Sequence, residues 1–397
     1  LRWRPLVPKP LPANRGLPEQ LRLPPRLLLR HRQVMSRRLV LMLAVHALGS
    51  LAGCGAEDSS ADHPGDDAGV DADAGSGGSG GMGGGGGDAG CGSASDPENC
   101  GSCGHSCKGT ACVAGRCEPT VLYQQPGSPY TVQILTLGGE HVFWNDNHGQ
   151  VWRGPRAGGT ATLTSTESNK AIGMAFSDGA LFWADRYGNS VRMAQIPTDE
   201  VTTLASLPGG PFDVTAQDGE PDLYVGTRDG GEVVRLPRAG GTPVSLSSDE
   251  ADLTGIASDA SSVAWVVNRS PGFVRKLDKA TGTVTTLASG QVFPRALAIA
   301  AGYVYWVCFA QTGPTVFRVA LAGGAAEPLA ELVQPGYVAA DGKNAYVTAG
   351  NSVWRVPAGG GQAVLMASGQ SPAEPIAVDD SWVYWGAKQG RVIRVAK

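Results

Sequence analysis

Residues that commonly carry catalysis are scarce in this sequence. Only six histidines occur in 397 residues, and of these only His141 and His148 lie beyond residue 120. With no second histidine further along to meet them, a histidine-based metal site has little to build on. There is no nucleophile elbow, no phosphate-binding loop and no His-rich metal motif, so the common hydrolase and nucleotide classes lack their signatures. No apolar run approaches the roughly 20 residues that a spanning helix needs. Beyond residue 120 no helical period appears at all, which excludes the helix-rich fold classes. Positive charge is also short where it would matter. The formal net charge is −4, but ten of the 32 basic residues precede Cys54, with Glu19 as the one acid there. From Cys54 onward 22 basic residues face 35 acids, a net of −13. Such a balance speaks against sequence-independent nucleic-acid binding, which depends on neutralising phosphates, and no nucleic-acid partner is expected.

What is present falls into consecutive segments of different composition. Residues 1–34 hold repeated Pro and Arg without a pattern that buries a face, and read as an untranslated or disordered extension. Met35 followed by Ser36-Arg37-Arg38 begins a basic segment, and Leu39 to Leu48 is a ten-residue apolar run, the proportions of a signal peptide over 35–53. Leu51-Ala52-Gly53-Cys54 then resembles the lipobox of bacterial lipoproteins. That resemblance implies lipidation at Cys54, a membrane attachment through the lipid and, with Gly55 rather than Asp next, an outer-membrane address, periplasmic or surface-exposed. The alternative is an ordinary secretory signal beside an incidental cysteine.

Residues 54–90 are Gly, Ala, Ser and Asp, with eight acids among runs such as Gly83 to Gly87. A stretch so poor in apolar side chains cannot offset the entropy of ordering itself, and reads as a self-repelling tether with a span of roughly 30 Å. Calcium binding is the rival, but the acids lack EF-hand spacing.

Six cysteines, Cys91, Cys100, Cys103, Cys107, Cys112 and Cys117, crowd residues 91–119. In an exported chain an even, closely spaced set predicts a disulfide-rich module, with the pairing left open. Zinc is the alternative, because Cys100 and Cys103 have a knuckle-like gap and His105 is near. The string from Asp96 to Gly104 resembles a Cys-rich element found in secreted proteins of myxobacteria beside similar linkers, which implies an extracytoplasmic setting.

From Thr120 to Lys397 the chain repeats. Val142-Phe143-Trp144, Leu181-Phe182-Trp183, Leu223-Tyr224-Val225, Val263-Ala264-Trp265, Val304-Tyr305-Trp306, Ala345-Tyr346-Val347 and Val383-Tyr384-Trp385 recur about every 40 residues. Each is followed by a strand led by Val at 151, 191, 233, 274, 316, 353 and 392, with Arg153, Arg235, Lys276, Arg318, Arg355 or Arg394 two places on in six units. Glycine pairs such as Gly158-Gly159, Gly240-Gly241, Gly323-Gly324 and Gly359-Gly360 mark the next turn. Four short strands per 40 residues predict one propeller blade, hence an all-β, seven-bladed propeller of four-stranded blades. The last unit ends after its third strand, and Thr120 to Tyr123 supplies the missing fourth. Such closure leaves no open sheet edge, so a monomer is expected.

Phe143-Trp144-Asn145-Asp146 and Phe182-Trp183-Ala184-Asp185 resemble the YWTD-type repeats of low-density-lipoprotein-receptor propellers, and Tyr305-Trp306 and Tyr384-Trp385 keep the aromatic half. That resemblance implies a six- or seven-bladed ring used as a binding surface.

The recurring aromatics read as packing between blades, carbohydrate stacking being the alternative. The recurring basic residues read as a solvated sheet face, with an anion ring as the alternative. Cys308 reads as a small buried apolar residue. Function is expected where the blades disagree, at the start of each first strand: Tyr130, Lys170, Phe212, Asp213, Asp252, Arg295, Tyr337 and Glu374. These mixed groups predict a ligand-binding channel mouth for a protein, peptide or glycan of the cell envelope, without cofactor or catalysis. The alternative is a propeller enzyme, a metal-dependent lactonase or a lyase resembling the streptogramin-opening propellers, with Asp213, Asp252 and Glu374 around a hard cation.

Overall fold

The structure, a computed structural model, describes residues 92–125, 131–166, 171–310 and 312–397. The signal segment, Cys54, the acidic tether and Cys91 lie outside the described residues.

Seven four-stranded sheets form the propeller. Blade 1 comprises Val132–Gly138, His141–Asp146, Val151–Pro155 and Thr162–Ser165, paired antiparallel in sequence order. Blades 2 to 6 repeat this order, with innermost strands Ala171–Ser177, Pro211–Thr215, Leu253–Ser258, Pro294–Ala300 and Pro335–Ala340. Blade 7 has three strands from the C-terminus, beginning with Ala373–Val378, and takes Thr120–Gln124 as its fourth. The ring therefore closes as expected, with the innermost strands touching in sequence around the channel.

The aromatic strand explains why the repeat folds this way. Adjacent side chains of a strand point to opposite faces, so each central pair serves two seams. Trp144, Trp183, Trp265, Trp306 and Trp385 face the preceding blade, while Phe143, Phe182, Ala264, Tyr305 and Tyr384 face the following one. In blades 3 and 6 Val225 and Val347 take the tryptophan's place. All five tryptophans are fully buried, in the packing role expected of them. Burying one removes roughly 200 Å² from water, about 5 kcal/mol as an upper bound.

Polar seams are weaker but equally periodic. The basic residue two places after each third-strand valine is neither a solvated face nor an anion ring in most blades. Arg153 reaches Asp199 of blade 2 at 2.7 Å, Lys276 donates to the Leu321 carbonyl of blade 5 at 2.9 Å, and Arg394 donates to the Arg156 carbonyl of blade 1. Arg235 and Arg318 instead pair within their own blades, with Asp222 and Glu327. A second set sits five places after the valine and points backwards: Arg156–Asp379, Arg238–Asp178, Lys279–Glu220 and Lys397–Asp341 each tie a blade to the one before it, at 2.5–3.3 Å. Partly exposed pairs of this kind contribute about 1 kcal/mol or less each, so the aromatic seams dominate the energetics.

The Asp of the two best YWTD-like strands has a structural task. Asp146 Oδ1 accepts from the His148 and Gln150 amides, and its Oδ2 accepts from Trp152 Nε1. Thr227 holds the equivalent turn of blade 3 by accepting from the Glu232 amide. In blade 6 the left-handed turn glycines are Gly360 and Gly361, one place later than the sequence pattern suggests, because the turn keeps its distance from Val353.

Ahead of the ring, Cys100–Cys112 and Cys107–Cys117 are disulfides, and Cys103 is also disulfide-bonded. The cystines pack with Met366, Ala367 and Val395 on the outside of blades 6 and 7. Cys308 is buried, its thiol 3.6 Å from Gln291 Oε1.

Candidate functional site

A β-bulge interrupts the start of every innermost strand. The register breaks between Val132 and Ile134, Ala171 and Gly173, Pro211 and Asp213, Leu253 and Gly255, Pro294 and Leu297, Pro335 and Tyr337, and Ala373 and Ile376. A bulge re-aims the side chains beside it. Seven at one level make a ring of displaced residues at one mouth of the channel, and these are the positions where the blades differ.

A cavity of about 690 Å³ opens there. At the level of the bulges its collar carries Phe212, Asp213, Arg228, Asn268, Arg295 and Tyr337, and one step further along the innermost strands the lining is apolar, with Met174, Val214, Ile256, Leu297, Val338 and Ile376. The size and the few polar groups on an apolar wall are those of a small-molecule site.

Asp213 spans three blades. Its Oδ1 accepts from the Val214 amide at 2.9 Å, and its Oδ2 accepts from the Ile256 amide of blade 4 at 3.1 Å. Toward blade 2 it lies so close that a Cβ on Gly173 would stand 2.4 Å from its Cα. Burial pushes the carboxyl up to about 7, the two amides pulling the other way. Across the mouth, burial pushes Tyr337 up to about 12, helped by the charge of Glu374 and opposed by Arg295. Burial also raises Glu374 above the usual carboxylate range, against Arg295 and Lys388.

The Asp213 shift has a sign in stability. Its folded-state value lies above the unfolded one, so its contribution is full below pH 4 and is lost as pH rises through about 7. Urea unfolding of the wild type and Asp213→Asn between pH 4 and 8 should show the wild type losing ground to the variant as pH rises. A pH-independent difference would mean that the carboxylate is solvated.

Of the eight sequence candidates, Phe212, Asp213, Arg295 and Tyr337 line this cavity, and Glu374 stands beside Arg295 and Tyr337. Asp252 does not line it. It is exposed in a rim turn at φ 69°, where its amide donates to the Arg228 carbonyl. Tyr130 and Lys170 lie outside the described residues. Asp213, Asp252 and Glu374 do not converge on one point. Among the described residues, the trio of ligand-type atoms within 4.8 Å is formed by Cys100, Cys107 and Cys112, which are held in disulfides.

Sequence reasoning missed Arg228, Asn268, Phe293 and Phe309. Three of these follow the second strand directly, after Thr227, Val267 and Cys308. Antiparallel pairing sets the end of the second strand beside the start of the first, so the residue after each second strand is the readable signal. Arg228 lies over the Phe212 ring at 5.2 Å and Arg295 over Phe309 at 5.8 Å. Phe293 and Phe309 are 45% and 44% exposed, high for phenylalanine and placed on the rim.

No family model and no curated protein matches this chain. Solved structures do. A streptogramin B lyase aligns with 13% identity over 70% of this chain and 97% of its own, at a TM-score of 0.60. A virginiamycin B lyase from Staphylococcus aureus gives 12%, 70%, 99% and 0.61, and the RRP9 WD40 repeats 13%, 70%, 97% and 0.59. At these identities the likeness is one of fold, shared by lyases and WD40 repeats alike.

Proposed function

We propose that this chain is a non-catalytic binding module of the cell envelope, anchored through a lipid on Cys54 and receiving its ligand at the channel mouth. The carrying observation is the 690 Å³ cavity framed by the ring of bulges, where scaffold regularity gives way to residues particular to each blade. Its limited volume, set in the narrow channel mouth, favours a small ligand or the end of a peptide over an extended glycan. The mature chain's negative charge disfavours nucleic acid.

A lyase reading draws on one specific feature, the Asp213 carboxyl poised at about 7, a value suited to a general base. Against it, both carboxylate oxygens are taken by backbone amides. A virginiamycin B lyase from Staphylococcus aureus inactivated by a single histidine-to-alanine change has been solved with quinupristin. No histidine lies among the described residues lining this cavity, so the binding reading is preferred.

The test is a crosslinking pull-down from intact envelopes with the wild type, with Thr254→Trp, which fills the mouth from a position in the cavity wall of blade 4, and with Cys54→Ser. The wild type should recover a partner that Thr254→Trp loses, and Cys54→Ser should appear in the soluble fraction. Recovery of nothing, or equal recovery with the mouth filled, contradicts a channel-mouth binding module. Sedimentation of Cys54→Ser with membranes contradicts the anchor.

A further inference from the structure

The collar of the cavity is charged in a lopsided way. Arg228 and Arg295 both line it, and neither forms an ion pair among the described residues, whereas Arg156, Arg186, Arg238 and Arg275 each pair with an acid. Instead each of the two is laid against a phenylalanine. Stacking on an aromatic face holds a guanidinium in place while leaving its in-plane N–H donors free to point elsewhere.

The acids nearby do not cancel them. Asp213 turns both oxygens to backbone amides, and burial leaves it only partly ionised near neutral pH. Glu374 offsets part of the Arg295 charge, but it also faces Lys388 and forms an ion pair with neither. Asn268 is committed too, its side-chain amide donating to the Pro294 carbonyl at 2.9 Å. The charged donors left over at the mouth are therefore the two guanidiniums, with the Tyr337 hydroxyl beside them, and beyond them the lining is mainly aliphatic.

Accepting that the channel mouth is a binding site, we propose that its ligand is a small carboxylate carried on an apolar body, the body in the aliphatic shaft and the carboxylate between Arg228 and Arg295. Each half matches a separate part of the cavity. Planar guanidiniums suit the two oxygens of a carboxylate, and an apolar body gains from leaving water against Val214, Ile256 and Val338. A neutral or cationic head on the same body would leave the guanidiniums without an acceptor.

The test holds the body constant and changes the head. The full mature chain is titrated calorimetrically with 2-naphthoate, 2-naphthylmethanol and 2-naphthylmethylammonium at low and high salt. Naphthoate should bind at least tenfold more tightly than either of the others, and added salt should narrow that gap. In Arg228→Gln/Arg295→Gln naphthoate should lose its preference and bind no more tightly than the alcohol does to the same variant. Should that variant fail to fold, Arg228→Lys/Arg295→Lys keeps both charges, and naphthoate should then bind more weakly than to the wild type but still better than the alcohol. Equal binding of all three heads, or a carboxylate preference that survives folded Arg228→Gln/Arg295→Gln, overturns the head-group assignment and leaves the binding module standing. No binding by any of the three overturns this ligand class, whereas the binding module itself falls only if the envelope pull-down also fails.

Discussion

Replacing Tyr123 with alanine is expected to destabilise the propeller by about 3–5 kcal/mol, the usual cost of truncating a buried aromatic. Three contacts converge on this one side chain. Its ring stacks on Trp144 of blade 1 at a centroid distance of 4.9 Å, and its hydroxyl donates to the Pro155 carbonyl at 2.6 Å. Gly154 makes the approach possible, since a Cβ there would fall 2.3 Å from the tyrosine ring. Tyr123 belongs to the strand that completes blade 7, so these contacts join the first described strand of the ring to blade 1. A loss of this size should lower the thermal midpoint by on the order of 10 °C. Val121→Ala is the control, because Val121 is in the same strand but 46% exposed, and should cost less than about 0.5 kcal/mol. If both variants melt alike, the ring does not depend on the N-terminal strand.

Reduction of the cystines should have the next largest effect, and a local one. Cys100–Cys112 and Cys107–Cys117 close loops of 12 and 10 residues, worth about 3 kcal/mol each in lost denatured-state entropy. Apart from the cysteines themselves, the module offers its packing partners on blades 6 and 7 little apolar surface. Without its cross-links it should unfold while the blades stay intact, exposing Met366 and Val395. The closing strand begins at Thr120, three residues after Cys117, so its leading end should fray as well. Limited proteolysis read by mass spectrometry should show cleavage between residues 92 and 119 only after reduction. Equal resistance before and after would mean that packing, not the disulfides, holds the module.

Much of this architecture was legible because a propeller writes its seams into sequence. A residue that must fill the gap between two blades recurs once per blade, so Trp144, Trp183, Trp265, Trp306 and Trp385 give the period and Val151 to Val392 give the third strand. The missing strand could be read because a hydrogen-bonding edge has to be covered. The back-pointing cations at 156, 238, 279 and 397 were regular too, but they occur in four blades, with Ile196, Leu321 and Ala358 in their place elsewhere. Their acidic partners lie in the first turn of the preceding blade, a pairing no local pattern reveals.

The site was less legible because bulges carry no periodic signal of their own. Blades 3 and 4 share the same bulge, in which Phe212 and Asp213 correspond to Thr254 and Gly255, all four at the wall, whereas Asp252 precedes its strand and stays on an exposed turn. In blades 3, 4 and 5 the collar also draws on two separate stretches of the chain. Attention to first-strand starts alone finds Arg295 and misses Phe309, its stacking partner.

The most direct test of a channel-mouth function needs no knowledge of the ligand. A photoreactive phenylalanine analogue is placed at Phe309 on the rim and, in a separate protein, at Val364 on the exposed outer edge of blade 6, and intact cells are irradiated. A specific adduct is expected from position 309 and none from position 364. An adduct at 364 alone would place the function on the outer face of the blades and contradict a channel-mouth function.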